Sequence, residues 1–120
     1  AKQRHVTAAM RDLEAAIQMV PDRFLDERGI TFSTLGLVVL SDGRLLEALY
    51  YYGAADVLLQ RGDNSGYELE NLLRFMRALT LNGEVDFARR LGERAALLAL
   101  DCGSKKKQAE AAELISQLNQ

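Results

Sequence analysis

The side chains that could carry out catalysis are few and scattered along this chain of 120 residues. His5 is the only histidine and Cys102 the only cysteine. A two-histidine metal site is therefore excluded, and a Ser–His or Cys–His pair would depend on one residue near the N-terminus. The nine glycines are spread over predicted turns and helix crossings, without the spacing of a phosphate-binding loop. The sequence predicts no catalytic residues, no metal site and no cofactor, and it indicates a protein that is not an enzyme.

Three short motifs have both a functional and a structural interpretation. The triplet RGD at 61–63 matches an adhesion motif, but a helix end followed by a loop accounts for it. The three tyrosines at 50–52 place Tyr52 in a predicted core and leave the other two for packing, stacking or phosphorylation. The three lysines at 105–107 are interpreted as a solvated loop or first helical turn rather than a phosphate-binding patch.

Composition is that of a globular protein. The chain is 48% hydrophobic with a formal net charge of −2, which excludes a disordered tail and argues against a broad nucleic-acid surface. A single cysteine excludes an internal disulfide, as expected in a reducing compartment. Neither a membrane span nor a signal peptide is visible, so a cytoplasmic location is expected. The chain begins at Ala1 rather than at Met, which suits a trimmed piece of a longer protein.

The stretch from Phe32 to Tyr52 predicts two helices that fold back on each other at residues 41–43, Ser-Asp-Gly. Two helices cross closely only where side chains are small. Gly36 and Ala48 are therefore expected at the crossing, with large apolar side chains beside them. One hairpin leaves an apolar face uncovered, so it needs another hairpin stacked on it.

The hairpin pattern recurs about 40 residues later in the chain, where Leu72 takes the position of Phe32. This displacement along the sequence is called the repeat shift. The same shift places Leu35 on Phe75, Val39 on Leu79, Gly43 on Gly83, Ala48 on Ala88, Ala55 on Ala95 and Leu58 on Leu98. The turn changes only from Asp-Gly to Asn-Gly, and both suit the positive φ of a tight turn. Met76 replaces Gly36 and Gly92 replaces Tyr52, which predicts large and small side chains exchanged across one crossing.

This spacing resembles the tetratricopeptide repeat, whose signature is aromatic-x2-Leu-Gly-x2-Tyr followed by Ala-x3-Phe. The residues that carry the resemblance are Phe32, Leu35, Gly36, Val39, Ala48, Tyr52 and Ala55. It implies an all-α fold of about six helices, stacked as antiparallel hairpins into a superhelix, in a variant with a repeat of about 40 residues. An unrelated all-helical bundle is the alternative.

The resemblance divides a single domain, 1–120, into four parts. They are a half repeat over 4–21, full repeats over 29–62 and 66–102, and a C-terminal capping helix over 105–119. In the full repeats, helices are expected to end at Leu40, near Gln60, at Leu81 and at Leu100. The half repeat would open the chain halfway through a unit.

Two local features are expected between these parts. The segment between Pro21 and Gly29 would form a short helical turn with Phe24 and Leu25 against the repeat. Ser65 followed by Glu68 predicts a capping box at the start of the next helix.

In the tetratricopeptide family, the first helices of successive hairpins line a concave groove that holds a peptide or a helix. Mapped by position, that groove would be lined by Ile30, Ser33, Thr34, Leu37, Leu40, Glu70, Leu73, Arg74, Arg77 and Leu81. An apolar wall beside two arginines suits an amphipathic partner with an acidic group, because Arg binds a carboxylate through paired hydrogen bonds. The alternative is that Leu37, Leu40 and Leu73 pack only within the domain. Ser33 and Leu37 replace the Lys and Asn of the family's chaperone-tail clamp, so that tail is not the expected partner.

The leading expectation is a non-enzymatic module that binds a peptide or helix of another protein. One alternative is a sensor or oligomerisation domain of a larger bacterial transcriptional regulator. Another is a secretion-type chaperone that shields a hydrophobic partner. Self-association is also expected, because an opened array would expose an apolar stripe of Val6, Met10 and Leu13.

Overall fold

The computed structural model describes residues 21–119 continuously and, before them, only Ala8, Arg11, Asp12, Ala15 and Met19. After a 3₁₀ turn, Asp22–Phe24, the helices are α1, Leu25–Ser41; α2, Leu45–Arg61; α3, Ser65–Leu81; α4, Val85–Cys102; and α5, Lys105–Leu118. The part of the chain from 21 to 119 contains no strand, which confirms the predicted all-α class. The predicted half repeat lies outside the described residues apart from isolated positions, as do His5, Val6, Met10 and Leu13.

The five helices are stacked as hairpins in chain order. The most extensive contacts are between helices that follow one another in the chain, above all within each hairpin, and in addition α1 contacts α3 and α3 contacts α5. The backbones of the second helices, α2 and α4, come much less close to each other, and long side chains make the contact between them. The first helices therefore lie next to one another in the order α1, α3, α5.

The two hairpins repeat each other in detail. The repeat shift carries Leu25, the start of α1, onto Ser65, the start of α3, and it relates α2 to α4 in the same way. The turn glycines Gly43 and Gly83 have φ of 79° and 78°, which only glycine adopts without a steric penalty. The predicted turn chemistry is therefore confirmed. A second application of the shift leads from Ser65 to Lys105, so α5 occupies the position of a third first helix.

Inside each hairpin, the helices cross where a glycine faces a large side chain. A Cβ added to Gly36 would lie 2.7 Å from Cε1 of the fully buried Tyr52. In the second hairpin, a Cβ added to Gly92 would lie 3.0 Å from Cε of Met76 and also 3.0 Å from Cγ1 of Ile115 of α5. The small residue is on the first helix of the first hairpin and on the second helix of the second hairpin, as the sequence predicts. Both pairs of helices cross closely.

The apolar core runs through the whole stack. Side chains from Val39 of α1 to Leu118 of α5 belong to one buried cluster. A smaller cluster around Leu25 and Phe32 lies within the first hairpin, and Leu35 packs against both clusters. Leu35 therefore connects the two clusters, and buried apolar side chains extend from α1 to α5.

Three charged side chains connect the two hairpins. Arg94 of α4 donates hydrogen bonds to Asp56 of α2 at 3.1 and 3.3 Å and to Glu68 of α3 at 3.0 Å. Burial lowers the pKa of Arg94, but the hydrogen bonds and charges of the two carboxylates outweigh it, so the pKa is raised. The arginine is therefore held in its charged form between three helices.

Helix α1 begins earlier than the predicted repeat boundary at 29. The 3₁₀ turn leads directly into Leu25, which is buried, whereas Phe24 is 41% exposed, so only one of the two side chains packs as expected. Asp26 in the first turn accepts hydrogen bonds from the backbone N–H groups of Asp63 and Asn64, at 3.0 and 3.1 Å. These contacts attach the added turn to the loop between the hairpins.

The predicted capping box at the start of α3 is wrong. The N-cap is Asn64, whose Oδ1 accepts a hydrogen bond from the N–H of Tyr67 at 2.9 Å. Ser65 is already the first helical residue, and the carboxylate of Glu68 binds Arg94. Asn64 takes the role because its backbone is extended, as an N-cap requires.

We expect Gly36→Ala to lower the free energy of unfolding by about 1–3 kcal/mol, because the new Cβ would overlap the ring of Tyr52 in a filled core. Urea denaturation measures the loss. In a Tyr52→Leu background, where the shorter side chain leaves room, the same alanine should be less destabilising. An equal loss in both backgrounds would contradict the crossing as its cause.

Replacing Arg94 with Met should destabilise the stack by about 1–3 kcal/mol, because two partly buried carboxylates lose a charged donor. Thermal unfolding followed by circular dichroism measures the change. Arg90→Met is the matched control on the same helix, since Arg90 is exposed and lies over the ring of Phe87. Equal losses of stability in the two variants would show that the contacts of Arg94 with Asp56 and Glu68 do not stabilise the fold.

Candidate functional site

The sequence predicts a groove on the inner side of the stack, and the structure separates the predicted residues by exposure. The exposed ones are Thr34, Leu37, Arg77 and Leu81. The half-buried ones are Ile30, Leu40, Glu70 and Arg74. The buried ones are Ser33 and Leu73.

Ser33 and Leu73 lie beneath this face rather than on it. They are equivalent positions of the two hairpins, and their exposed fractions are 0% and 1%. The hydroxyl of Ser33 accepts a hydrogen bond from Nη1 of Arg74 at 3.2 Å, and Leu73 belongs to the continuous core. Leu73 thus packs only within the domain, which was the alternative interpretation of the three leucines. Leu37 is 45% exposed, and Leu40 is half-buried against the core.

Helix α5 adds a third wall that the sequence interpretation treated only as a polar cap. The repeat shift carries Glu70, Arg74 and Arg77 onto Glu110, Leu114 and Gln117. A cavity of about 380 Å³ lies between α3 and α5 and is lined by Arg77, Thr80, Leu81, Glu110, Glu113, Leu114 and Gln117. Extending the repeat by one more step would have identified this wall from the sequence.

Ion pairs cross from α3 to α5 along the same face. Arg77 donates a hydrogen bond to Glu110. Lys107 donates to Glu70 and lies 3.6 Å from Glu110, while Nε of Arg74 lies 3.4 Å from Glu70. Charge complementarity therefore holds α5 against α3 in addition to apolar contact.

These contacts favour the charged forms of the groups. The hydrogen bond from Arg77, together with the nearby charge of Lys107, lowers the pKa of Glu110. The hydrogen bond to Glu70 raises the pKa of Lys107, helped by the charge of Glu110. Burial opposes both shifts but is outweighed, so the ion pairs are intact at neutral pH.

Two of the three tyrosines at 50–52 are core residues. Tyr51 and Tyr52 are 1% and 0% exposed, and Tyr50 is half-buried with its ring edge-to-face on Tyr51. Burial raises the pKa of Tyr52, and the charges of Arg74 and Arg77 partly oppose that shift. The hydroxyl of Tyr52 is buried without a hydrogen-bond partner among the described residues, within reach of the arginines of the groove.

The RGD triplet at 61–63 is part of the connection between the hairpins. Arg61 ends α2, and the N–H of Asp63 donates to Asp26. A Cβ on Gly62 would lie 2.0 Å from Oδ1 of Asp26, so a larger residue there would push this carboxylate away from the loop. The loop geometry thus accounts for both Gly62 and the backbone of Asp63.

The lysines at 105–107 form the first turn of α5, one of the two structural interpretations from the sequence. Lys105 and Lys106 are exposed. Lys107 is half-buried and pairs with Glu70, and its N–H donates to Oγ of the N-cap Ser104 at 3.2 Å. Cys102 ends α4 and is exposed, so it fills no space in the core.

Within the described residues, His, Cys, Asp and Glu side chains do not converge in any group of three that could hold a metal ion. None of the helices in this part of the chain has the length and hydropathy needed to cross a membrane. The chain matches no protein-family model, no curated protein and no solved structure. Arguments about its function therefore start from the geometry of the groove.

Acidification should weaken the attachment of α5. Because the pKa of Glu110 is lowered on folding, its contribution is present above the unfolded-state value near ~4.3 and is lost as pH falls through the lower folded-state value. Glu110→Gln should remove that contribution at neutral pH, by less than about 1 kcal/mol since the side chain is partly exposed.

Urea unfolding at neutral pH and at about pH 3 measures the effect, and the difference between wild type and Glu110→Gln should shrink in acid. Glu113→Gln, one turn along α5, is the control, because Glu113 accepts a hydrogen bond from the neutral Gln117. A difference of the same size at both pH values would contradict the ion pair as its source.

Proposed function

We propose that this chain is a protein-interaction module that binds an amphipathic peptide or helix along α1, α3 and α5. One observation carries the proposal: Leu81, 68% exposed, lines the same cavity as the exposed Arg77, and Leu37, 45% exposed, occupies the position of Arg77 in the first hairpin. Exposed leucines beside a cation match the needs of an amphipathic segment with an acidic group.

Arg77 is the residue suited to hold that acidic group. Its side chain is 45% exposed, and one of its N–H groups donates to Glu110. A guanidinium has five N–H donors, so a carboxylate of a partner binds the free edge without displacing Glu110. Arg74 is less accessible, because it is held between Ser33 and Glu70.

The cavity between α3 and α5 supplies the apolar part of the site. Its volume of about 380 Å³ lies in the range of ligand-binding clefts, about 300–1,000 Å³. Leu81 and Leu114 lie on its two sides, so an apolar side chain of the bound segment inserts between them. The partner segment thus presents an acidic group and an apolar group at neighbouring positions.

We also infer that the stack is tetratricopeptide-like. Support comes from the hairpin order of the helices, the recurrence of the pattern under the repeat shift and the close crossing of Gly36 with Tyr52. The proposal leaves the identity of the partner protein to experiment, and it applies equally if the stack belongs to a larger regulator.

The test is a selection from a displayed random-peptide library on the immobilised chain. Peptides enriched on the wild type should bind Leu81→Glu with a dissociation constant raised about thirtyfold or more, the effect of losing an interface hot spot. Arg77→Gln should weaken preferentially those peptides that contain Asp or Glu. Fluorescence anisotropy of the labelled peptides measures both effects.

Leu97→Glu is the matched control, because Leu97 on α4 is 65% exposed, close to the 68% of Leu81. It should leave peptide binding unchanged. A library that yields no enriched peptides, or peptides that bind Leu81→Glu as tightly as the wild type, would refute binding at this face.

A further inference from the structure

The outward face of α2 carries an uncharged stripe. Leu46, Tyr50, Gly53 and Val57 follow one another at intervals of three or four positions, so they form one line along the helix. Leu46 is 71% exposed and Val57 58%, while Tyr50 and Gly53 are half-buried. Two large apolar side chains therefore face solvent on either side of a glycine.

The second hairpin shows that the fold does not require such a stripe. The repeat shift carries these positions onto Asp86, Arg90, Glu93 and Leu97, all of which are exposed. Three of them are charged, as is usual for a solvent-facing helix surface. The two hairpins share one architecture, so the hairpin fold does not require Leu46 and Gly53 in place of two charged residues. Tyr50 does pack within the chain, with its ring edge-to-face on Tyr51.

Gly53 is the second unexplained feature of this face. A glycine in the middle of a helix is destabilising relative to alanine, so it needs a reason. At Gly36 the reason is Tyr52, 2.7 Å from an added Cβ, but a Cβ on Gly53 would meet nothing closer than Cζ of Phe75 at 4.0 Å. Within the part of the chain that the structure describes, an added Cβ would therefore make only an ordinary van der Waals contact, so packing there does not require glycine, and a small residue suits the close approach of a second backbone.

We propose that the stripe binds the same stripe of a second copy, giving a two-fold dimer in which two α2 helices cross antiparallel at Gly53. A two-fold interface brings one surface patch against itself, and a patch without charges does so without like-charge repulsion. In the antiparallel crossing, Tyr50 contacts the partner's Val57. Glu47, which lies 3.6 Å from Arg44 of its own chain, is then also near the partner's Arg61, whereas parallel helices would bring the two Glu47 carboxylates together.

The dimer is independent of the proposed groove. The stripe belongs to α2, and the groove residues belong to α1, α3 and α5. Peptide capture and dimerisation are therefore separable by mutation.

Sedimentation equilibrium of the full chain over a wide concentration range tests the dimer. We expect the apparent mass to rise from 13.3 kDa toward twice that value. Leu46→Asp combined with Gly53→Glu installs the residues that α4 carries at the equivalent positions, and it should raise the dimer dissociation constant about thirtyfold or more. Leu97→Asp, at an equally exposed leucine of α4, should dimerise like the wild type. A wild type that stays monomeric, or a dimer unaffected by the double substitution, overturns the proposal.

Cysteine cross-linking tests the geometry and remains decisive if the double variant fails to fold. In a Cys102→Ser background, Gly53→Cys should give a covalent dimer under mild oxidation, because the two positions meet at the crossing and the added side chain has room. Leu97→Cys in the same background should stay monomeric on denaturing gels without reductant. Failure of Gly53→Cys to cross-link, or equal cross-linking of both variants, overturns the antiparallel crossing.

Discussion

The stack depends on how closely two helices approach within a hairpin, and that distance is set by one small and one large side chain. In the first hairpin the small residue is on the first helix, Gly36 against Tyr52, and in the second it is on the second helix, Gly92 against Met76. In both hairpins a glycine leaves room for the large side chain opposite it, so the helices cross closely whichever helix carries the small residue. The geometry of the repeat can therefore persist after its sequence signature has changed.

The close crossings also determine which surface is left for other molecules. The first helices contact one another along the stack. At the edge of the stack, charged side chains rather than apolar ones join α3 to α5. Apolar side chains at that edge would have filled the space between α3 and α5. Long charged side chains instead hold α5 at its outer edge, and the cavity beside Leu81 remains open.

Periodicity and turn chemistry were sufficient to predict the helices between Leu45 and Leu118, because glycine turns and hydrophobic spacing are local signals. The start of α1 was missed because its cause is distant in sequence: Asp26 holds the loop at Asp63, between the hairpins. Two predicted groove residues, Ser33 and Leu73, are buried, since repeat position alone does not distinguish a side chain on a face from one beneath it. The contribution of α5 was missed because its polar sequence was interpreted as a cap.

An internal repeat also separates what the fold requires from what it does not. Where both copies keep the same kind of residue, as at Ala48 and Ala88, each fully buried, packing is a sufficient explanation. On the exposed face one copy has charged residues and the other has Leu46 and Gly53. Packing is not a sufficient explanation there, because the charged copy folds in the same way. This comparison needs no related protein, because the second hairpin of the same chain serves as the control for the first. The dimer proposed for the outward face of α2 supplies a reason of this kind, since it places Leu46 and Gly53 in a contact between two copies of the chain.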